Sequence, residues 1–172
     1  MRVAYADPPY IGKAAKFYRH HPDYAGEVDH GALIRQLIEE FPDGWALSCH
    51  TPSLRLLLPL CPSDVRVSAW VKPRAIYKPG VSVQYAWEPV LWRGGRKRSR
   101  EQCTPKDWVS SNAFMGETYE HVRVLGKKPE GFCFWLFLML NLQTGDELVD
   151  LFPGSGAVTR AWEKWQRQLF AV

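Results

Sequence analysis

A chain of 172 residues, 46% of them hydrophobic, can bury one core but is short for two, so a single domain over residues 1–172 is expected. The net charge of +4 permits a polyanionic partner without demanding one, and its placement matters more than its sum. Four widely separated cysteines (Cys49, Cys61, Cys103, Cys133), with no CxxC pair, argue against a disulfide framework or a zinc site, and the longest apolar run, Phe132–Leu140, is too short to span a bilayer.

Met1-Arg2 runs directly into an apolar stretch, so no signal peptide is expected, and the cysteines read as reduced thiols of a cytoplasmic protein with no membrane partner. Val3–Ala6 reads as a buried strand that stops at Asp7-Pro8-Pro9-Tyr10, because proline cannot continue a ladder. Asp7 is thereby left at a strand's carboxyl end, the edge where open α/β sheets bind ligands. Prolines carry no N–H, so this wall offers only acceptors, the Asp7 carboxylate and the carbonyls around Pro8. Such a wall suits an amino group gripped by its hydrogens. Tyr10 adds a flat face on which a base could stack.

Ile11–Glu27, with Lys13, Lys16, Tyr18, Arg19, His20 and His21, lacks periodicity and reads as a surface loop, either simply solvated or facing a substrate. The two histidines have no partner at metal spacing, and no metal is expected. Asp29 caps a helix with Leu33, Ile34, Leu37, Ile38 and Phe41 on one face, ended by Asp43-Gly44. Trp45–Cys49 is the next strand, and Thr51-Pro52 opens a short helix through Leu58. Val65–Val71 and Trp87–Trp92 read as further strands around a Pro/Gly loop, Lys72–Gln84. Strands alternating with helices have the rhythm of a doubly wound sheet.

Arg93–Arg100 carries five cations in eight residues with two glycines, too charged to bury. It reads as a flexible loop, either merely soluble or a phosphate grip whose contacts would be salt-dependent. Cys103–Lys128 is irregular, with a short piece near Asp107–Val109. Lys127-Lys128-Pro129-Glu130 leads into a helix over Phe132–Leu142. After Gly145, Glu147–Phe152 forms a strand feeding Pro153-Gly154-Ser155-Gly156 and a helix carrying Ala157, Ala161, Trp162, Trp165 and Leu169. Glycines between a strand and a helix let backbone approach a ligand and aim helix N–H groups at an anion.

Asp7-Pro8-Pro9-Tyr10 resembles the catalytic motif of S-adenosylmethionine-dependent amino-methyltransferases, which methylate the exocyclic nitrogen of adenine or cytosine in nucleic acid. Trp70-Val71-Lys72-Pro73 is similar to the family's Trp-x-Lys-Pro strand end, and Trp87-Glu88-Pro89-Val90-Leu91 to a later strand that begins with an aromatic or histidine followed by Glu. Lys128-Pro129 has the family's Lys-Pro entering a helix. Asp150 to Gly156 resembles its Asp-x-Phe-x-Gly-x-Gly cofactor loop, with Leu151 and Pro153 in place of the commoner Pro and Ala. The order, catalytic motif first and glycine loop last, is the circularly permuted one found in a branch of this family.

The resemblance implies an α/β, Rossmann-like doubly wound mixed sheet of the class I methyltransferase type. It implies a catalytic Asp7-Pro8-Pro9-Tyr10 and a cofactor, S-adenosyl-L-methionine, held by Ala6, Asp7, Lys128, Pro129, Asp150, Phe152, Gly154, Ser155 and Gly156. The implied partner is double-stranded DNA with a flipped base, contacted by Lys13, Arg93, Arg96, Lys97, Arg98 and Arg100, with residues 93–108 as a nucleic-acid contact insert. The implied reaction is methyl transfer to adenine N6; N4-cytosine or RNA adenine methylation, or a degenerate nucleic-acid-binding relative, stay open. In the family a further strand ends in an acid that holds the cofactor ribose. Here Leu169-Phe170-Ala171-Val172 offers at most its beginning, so the sheet is expected to lack its last strands, and a homodimer completing the pocket is one alternative.

Overall fold

The computed structural model describes residues 1–20, 24–74, 78–111 and 127–169; His21, the segment 112–126 within the irregular Cys103–Lys128 stretch, and Phe170-Ala171-Val172 lie outside the described residues. Six strands form one sheet: β1 (Arg2–Ala6), β2 (Gly44–Ser48), β3 (Arg66–Val71), β4 (Trp87–Gly94), β5 (Trp108–Ser110) and β6 (Glu147–Asp150). Their order is β5-β3-β4-β2-β1-β6, and β4 alone runs against the others. The sheet is therefore mixed, with the carboxyl ends of five strands on one edge and the start of β4 among them.

Among the described residues, five α-helices flank it: α1 (Ala14–Tyr18), α2 (His30–Glu40), α3 (Leu54–Leu57, between two 3₁₀ turns), α4 (Glu130–Met139) and α5 (Ala157–Leu169). α1 falls where the sequence suggests an unstructured loop, because Ala14 buries its methyl and Glu27 accepts from the Gly12 and Ala14 N–H groups. Asp29 caps α2 by accepting from the Ala32 N–H at 2.9 Å, as its type and place demand. Helix α4 stops at Met139, short of Leu142, where Asn141 turns left-handed (φ 53°).

Two cores lie on opposite faces. Leu33, Ile34, Leu37, Phe41 and Leu57 pack with Ala4, Ala6, Trp45, Leu47 and Leu91 on one face; Phe132, Leu136, Phe137, Val158 and Trp162 pack with Val3, Tyr5, Ala46, Trp70 and Val90 on the other. Alternation along β1 thus feeds both cores, as a strand buried on both faces must.

The consequence for a site is topological. β1 and β6 are parallel neighbours in register Tyr5↔Asp150, yet the chain leaves β1 for α2 on one face and leaves β6 for α5 on the other. Their carboxyl ends therefore mark the switch point at which doubly wound sheets hold ligands.

The cationic stretch departs from expectation. Arg93 and Gly94 belong to β4, and the stretch lies at the opposite edge of the sheet, where Gly95 N–H reaches Asp43 O and Arg96 N–H reaches Leu140 O. Its glycines serve close packing: a Cβ on Gly94 would stand 2.6 Å from Asp43 O, and one on Gly95 2.8 Å from Leu140 O. From Arg93 to Arg96 this is a packed crossing of backbones, while Lys97, Ser99 and Arg100 are exposed. Among the described residues no helix is long and apolar enough to cross a membrane.

A candidate active site at the carboxyl ends of β1 and β6

Ala6 ends β1 fully buried, and Asp7 follows it at the switch point. Leu151 N–H donates to Tyr5 O at 2.9 Å, so the two chains stay paired one residue past β6 before Pro8-Pro9 and the Pro153–Gly156 turn diverge. The Asp-Pro-Pro-Tyr wall and the glycine turn are therefore adjacent. Gly154 (φ 46°) and Gly156 (φ 69°) both take the left-handed backbone that glycine accepts cheaply. A Cβ on Gly154 would meet nothing nearer than 3.8 Å, so conformation, not crowding, requires glycine there and the space before it stays open. Gly156 N–H closes the turn on Pro153 O, and Gly156 O accepts the Arg160 N–H as α5 begins.

Asp7 is the first member of a charged chain that sequence reading only partly anticipates. Lys128 Nζ donates to both of its carboxylate oxygens, at 2.9 Å and 2.8 Å, and lies 3.8 Å from Glu88 Oε2. Glu88 in turn pairs with Lys72 through Oε1 and accepts the Tyr10 hydroxyl at 2.9 Å through Oε2. The four charges alternate in sign and sum to zero. Aromatic faces line the ammonium groups, with Lys128 Nζ 5.2 Å from the Trp70 centroid and 5.7 Å from Phe132, and Lys72 Nζ 4.3 Å from Trp70.

Burial and pairing oppose one another at each group. Burial pushes the Asp7 carboxyl above its ordinary range, with Lys128 pulling it part of the way back and the Glu88 carboxylate adding to the rise. Burial also disfavours charge on Lys128, but two carboxylates, Asp7 and Glu88, outweigh it and hold the ammonium above its usual value. Glu88, burial notwithstanding, is held low by Lys128 and Lys72. Lys72 is pushed down by burial, which Glu88 only partly offsets.

Tyr10 is stacked on His50, ring centroids 5.2 Å apart and planes 6° from parallel. Burial, then the Asp7 and Glu88 charges, push its phenol well above the usual value, so it stays a neutral donor. Beside it, burial and the Lys13 and Lys78 cations hold the His50 imidazole below its usual value.

At the end of β6, Asp150 Oδ1 accepts the Phe152 N–H at 3.3 Å, while Oδ2 is buried with no partner. Burial raises this carboxyl to about 6. An ammonium or other donor set against that oxygen would complete it, and the open space at Gly154 would admit a ligand.

The structure thus brings together Ala6, Asp7, Pro8, Pro9, Tyr10, Lys128, Pro129 (the N-cap of α4), Asp150, Phe152, Gly154, Ser155 and Gly156 at one edge. Lys13, at the start of α1, lies within electrostatic reach of His50 there. Arg93, Arg96, Lys97, Arg98 and Arg100 are not brought to this edge. Arg93 Nε donates to Asp64, Arg96 Nη2 to the buried Asp146 at 2.7 Å and 2.9 Å, and Arg98 to the Cys103 and Leu138 carbonyls. Glu88, Lys72 and His50 were absent from the residues expected in the site. The first two sat in the Trp-x-Lys-Pro and Trp-Glu-Pro segments, and only the antiparallel insertion of β4 shows that Glu88 meets both Lys72 and Asp7's partner Lys128.

No family model matches the sequence, and no curated protein matches it. Among solved structures the fold is similar to the crystal structure of the M1.HpyAVI–SAM complex, with a TM-score of 0.57 and 14% identity over 95% of this chain and 78% of that one. It is likewise similar to the crystal structure of M1.HpyAVI, with a TM-score of 0.60 and 14% identity over 95% of this chain and 76% of that one. The likeness is one of fold: a mixed, doubly wound α/β sheet with helices on both faces.

Proposed function

We propose that this chain transfers a methyl group from S-adenosylmethionine to the exocyclic amine of a base in DNA, adenine N6, with Asp7 and the Pro8 carbonyl as the amine's acceptors. The observation that carries the reading is the adjacency of the Asp7 carboxylate and proline carbonyls after β1 and a Gly154-x-Gly156 turn after its parallel neighbour β6. The likeness in fold to a protein solved with SAM supports it.

The residues present fit such a cofactor. Asp150 has a buried oxygen in want of a donor, suited to an ammonium, and Gly154 leaves open space in the turn that follows. When bound, S-adenosylmethionine supplies an electrophilic methyl on a sulfonium. The chain's own work is to prepare the amine, a poor nucleophile because its lone pair is delocalised into the ring. Hydrogen bonds from its two N–H groups to Asp7 and to Pro8 O favour a pyramidal nitrogen. A carboxylate offers about four lone-pair sites, so Asp7 can keep Lys128 and still accept the amine. Once the nitrogen bears the methyl, Asp7 is placed to take the proton it sheds.

A base inside a duplex cannot reach this wall, so it must be extruded, and the Tyr10 ring, itself stacked on His50, is the aromatic group beside Asp7 that could replace the lost stack. Incubation with methyl-labelled S-adenosylmethionine and unmodified DNA, followed by nucleoside mass analysis, tests the reading. Labelled N6-methyladenine is the expected product; unlabelled DNA after prolonged incubation would refute it.

A further inference from the structure

Beside the Asp7 pocket, at the same edge of the sheet, lies an open recess of about 530 Å³ walled by Thr51, Ser82, Val83, Gln84, Tyr85 and Trp87. Val83, Tyr85 and Trp87 are 80%, 48% and 39% exposed. Single exposed apolar side chains are ordinary, but three within five residues around one recess form a surface suited to being covered. The wall is held in shape: Lys78 N–H donates to Gln84 Oε1 at 2.8 Å, and Gln84 Nε2 donates back to Lys78 O at 3.0 Å.

Two relationships say what covers it. The recess neighbours the site along the chain, since Thr51 follows the His50 that stacks on Tyr10, and Trp87 precedes the Glu88 that accepts from Tyr10. It is also cationic: Lys78 Nζ lies 5.6 Å from the Tyr85 ring centroid, Lys13 and Lys78 both act on His50, and no carboxylate among the described residues lines the recess. Exposed rings interleaved with ammonium groups give an unpaired nucleotide what it needs, a π-face for the base and a cation for the phosphate.

We infer that, where the strand beside the target base is unpaired, this recess holds the neighbouring nucleotide, stacked on Tyr85 with its phosphate against Lys78. The inference rests on the methyl-transfer reading and moves the strand contact from Arg93–Arg100 to this edge.

The test is fluorescence anisotropy with a labelled single-stranded oligodeoxynucleotide at low and near-physiological salt, using Tyr85→Ala, Tyr85→Phe, Lys78→Gln and the opposite-edge double variant Lys97→Gln/Arg100→Gln. Tyr85→Ala should weaken binding roughly five- to a hundredfold, Tyr85→Phe should restore it, and Lys78→Gln should flatten the salt dependence. The opposite-edge variant should bind as the parent does. Unchanged affinity in Tyr85→Ala, an equal loss from the opposite-edge variant, or salt-independent binding of the kind a protein partner would show overturns the subsite. Methylation assays of the same proteins separate the two levels. Normal DNA methylation by Tyr85→Ala/Lys78→Gln sinks the subsite alone, whereas no methylation by the parent sinks the reaction and the subsite with it.

Discussion

Lys128 Nζ stands between two carboxylates, 2.8 Å from Asp7 and 3.8 Å from Glu88, and so favours the charged form of the residue proposed to accept an amine. A protonated Asp7 would donate where acceptance is required. Burial drives Asp7 towards that neutral form, and Lys128 opposes it. Removing the ammonium in Lys128→Met should raise the Asp7 pKa further and carry the acid limb of the pH–rate profile upward by roughly one to three pH units. Lys128→Arg keeps the charge and should leave the limb near its original place. An unmoved limb in Lys128→Met would assign Lys128 a purely structural part.

Tyr10 offers two separable contributions, a hydroxyl bound to Glu88 and a ring stacked on His50. Because Glu88 keeps Lys72 and Lys128 when the hydroxyl goes, Tyr10→Phe should retain methylation within severalfold. Tyr10→Ala removes the face offered to an extruded base and should raise KM for DNA by roughly five- to a hundredfold. Steady-state kinetics on both variants checks the split; equal losses would place the weight on the hydroxyl.

Which parts of this were legible in the sequence follows from how local each signal is. Pro8-Pro9 and Gly154-x-Gly156 dictate their own backbone, so the strand ends, the acid between them and the turn could be read directly, as could the Asp29 cap. Strand order could not. β4 enters between β2 and β3 by pairings such as Leu47↔Leu91 and Val67↔Leu91, which no local pattern announces, and it is this insertion that carries Glu88 to Lys128, the partner of Asp7. The cationic stretch, none of whose residues is buried, was legible only in part for the same reason. Its charge density suggested solvent, while the partners that occupy Arg93 and Arg96, Asp64 and Asp146, lie 29 and 50 residues away in the chain.

Asp146 makes the opposite edge a matter of stability. Its carboxylate, buried at 3% exposure, accepts from the Met1 ammonium at 2.6 Å, from Arg96 and from the Gln143 N–H. Burial alone would raise it, but these donors outweigh burial and hold its pKa below the ordinary carboxylate value. A lowered folded-state pKa stabilises above the unfolded value and is lost as pH falls through the folded one. Asp146→Ala should therefore cost about 3 kcal/mol near neutrality, a fall in Tm of roughly 6–12 °C, with oligonucleotide affinity unchanged. Thermal melts of parent and variant should converge in acid; a gap that persists there would contradict the charged pairing.

Asp150 should report cofactor binding through protons. With its pKa raised to about 6 from an ordinary 3.8, the folded protein binds more protons than the unfolded chain between those values, so its contribution to stability falls as pH rises across that window. Asp150→Asn removes the cost of ionising a buried, partnerless oxygen and should make the apoprotein more stable at pH well above 6, by an amount solvent exposure keeps modest. An ammonium on the ligand needs the ionised form, so affinity for S-adenosylmethionine should rise with pH through about 6 and binding below it should release a proton. Calorimetry in two buffers of different ionisation enthalpy measures that release directly. In Asp150→Asn the proton signal and the pH dependence should both vanish while affinity falls at high pH, since the amide is a weaker partner for a cation than the carboxylate; binding that stays pH-dependent in this variant would mean another group carries the proton.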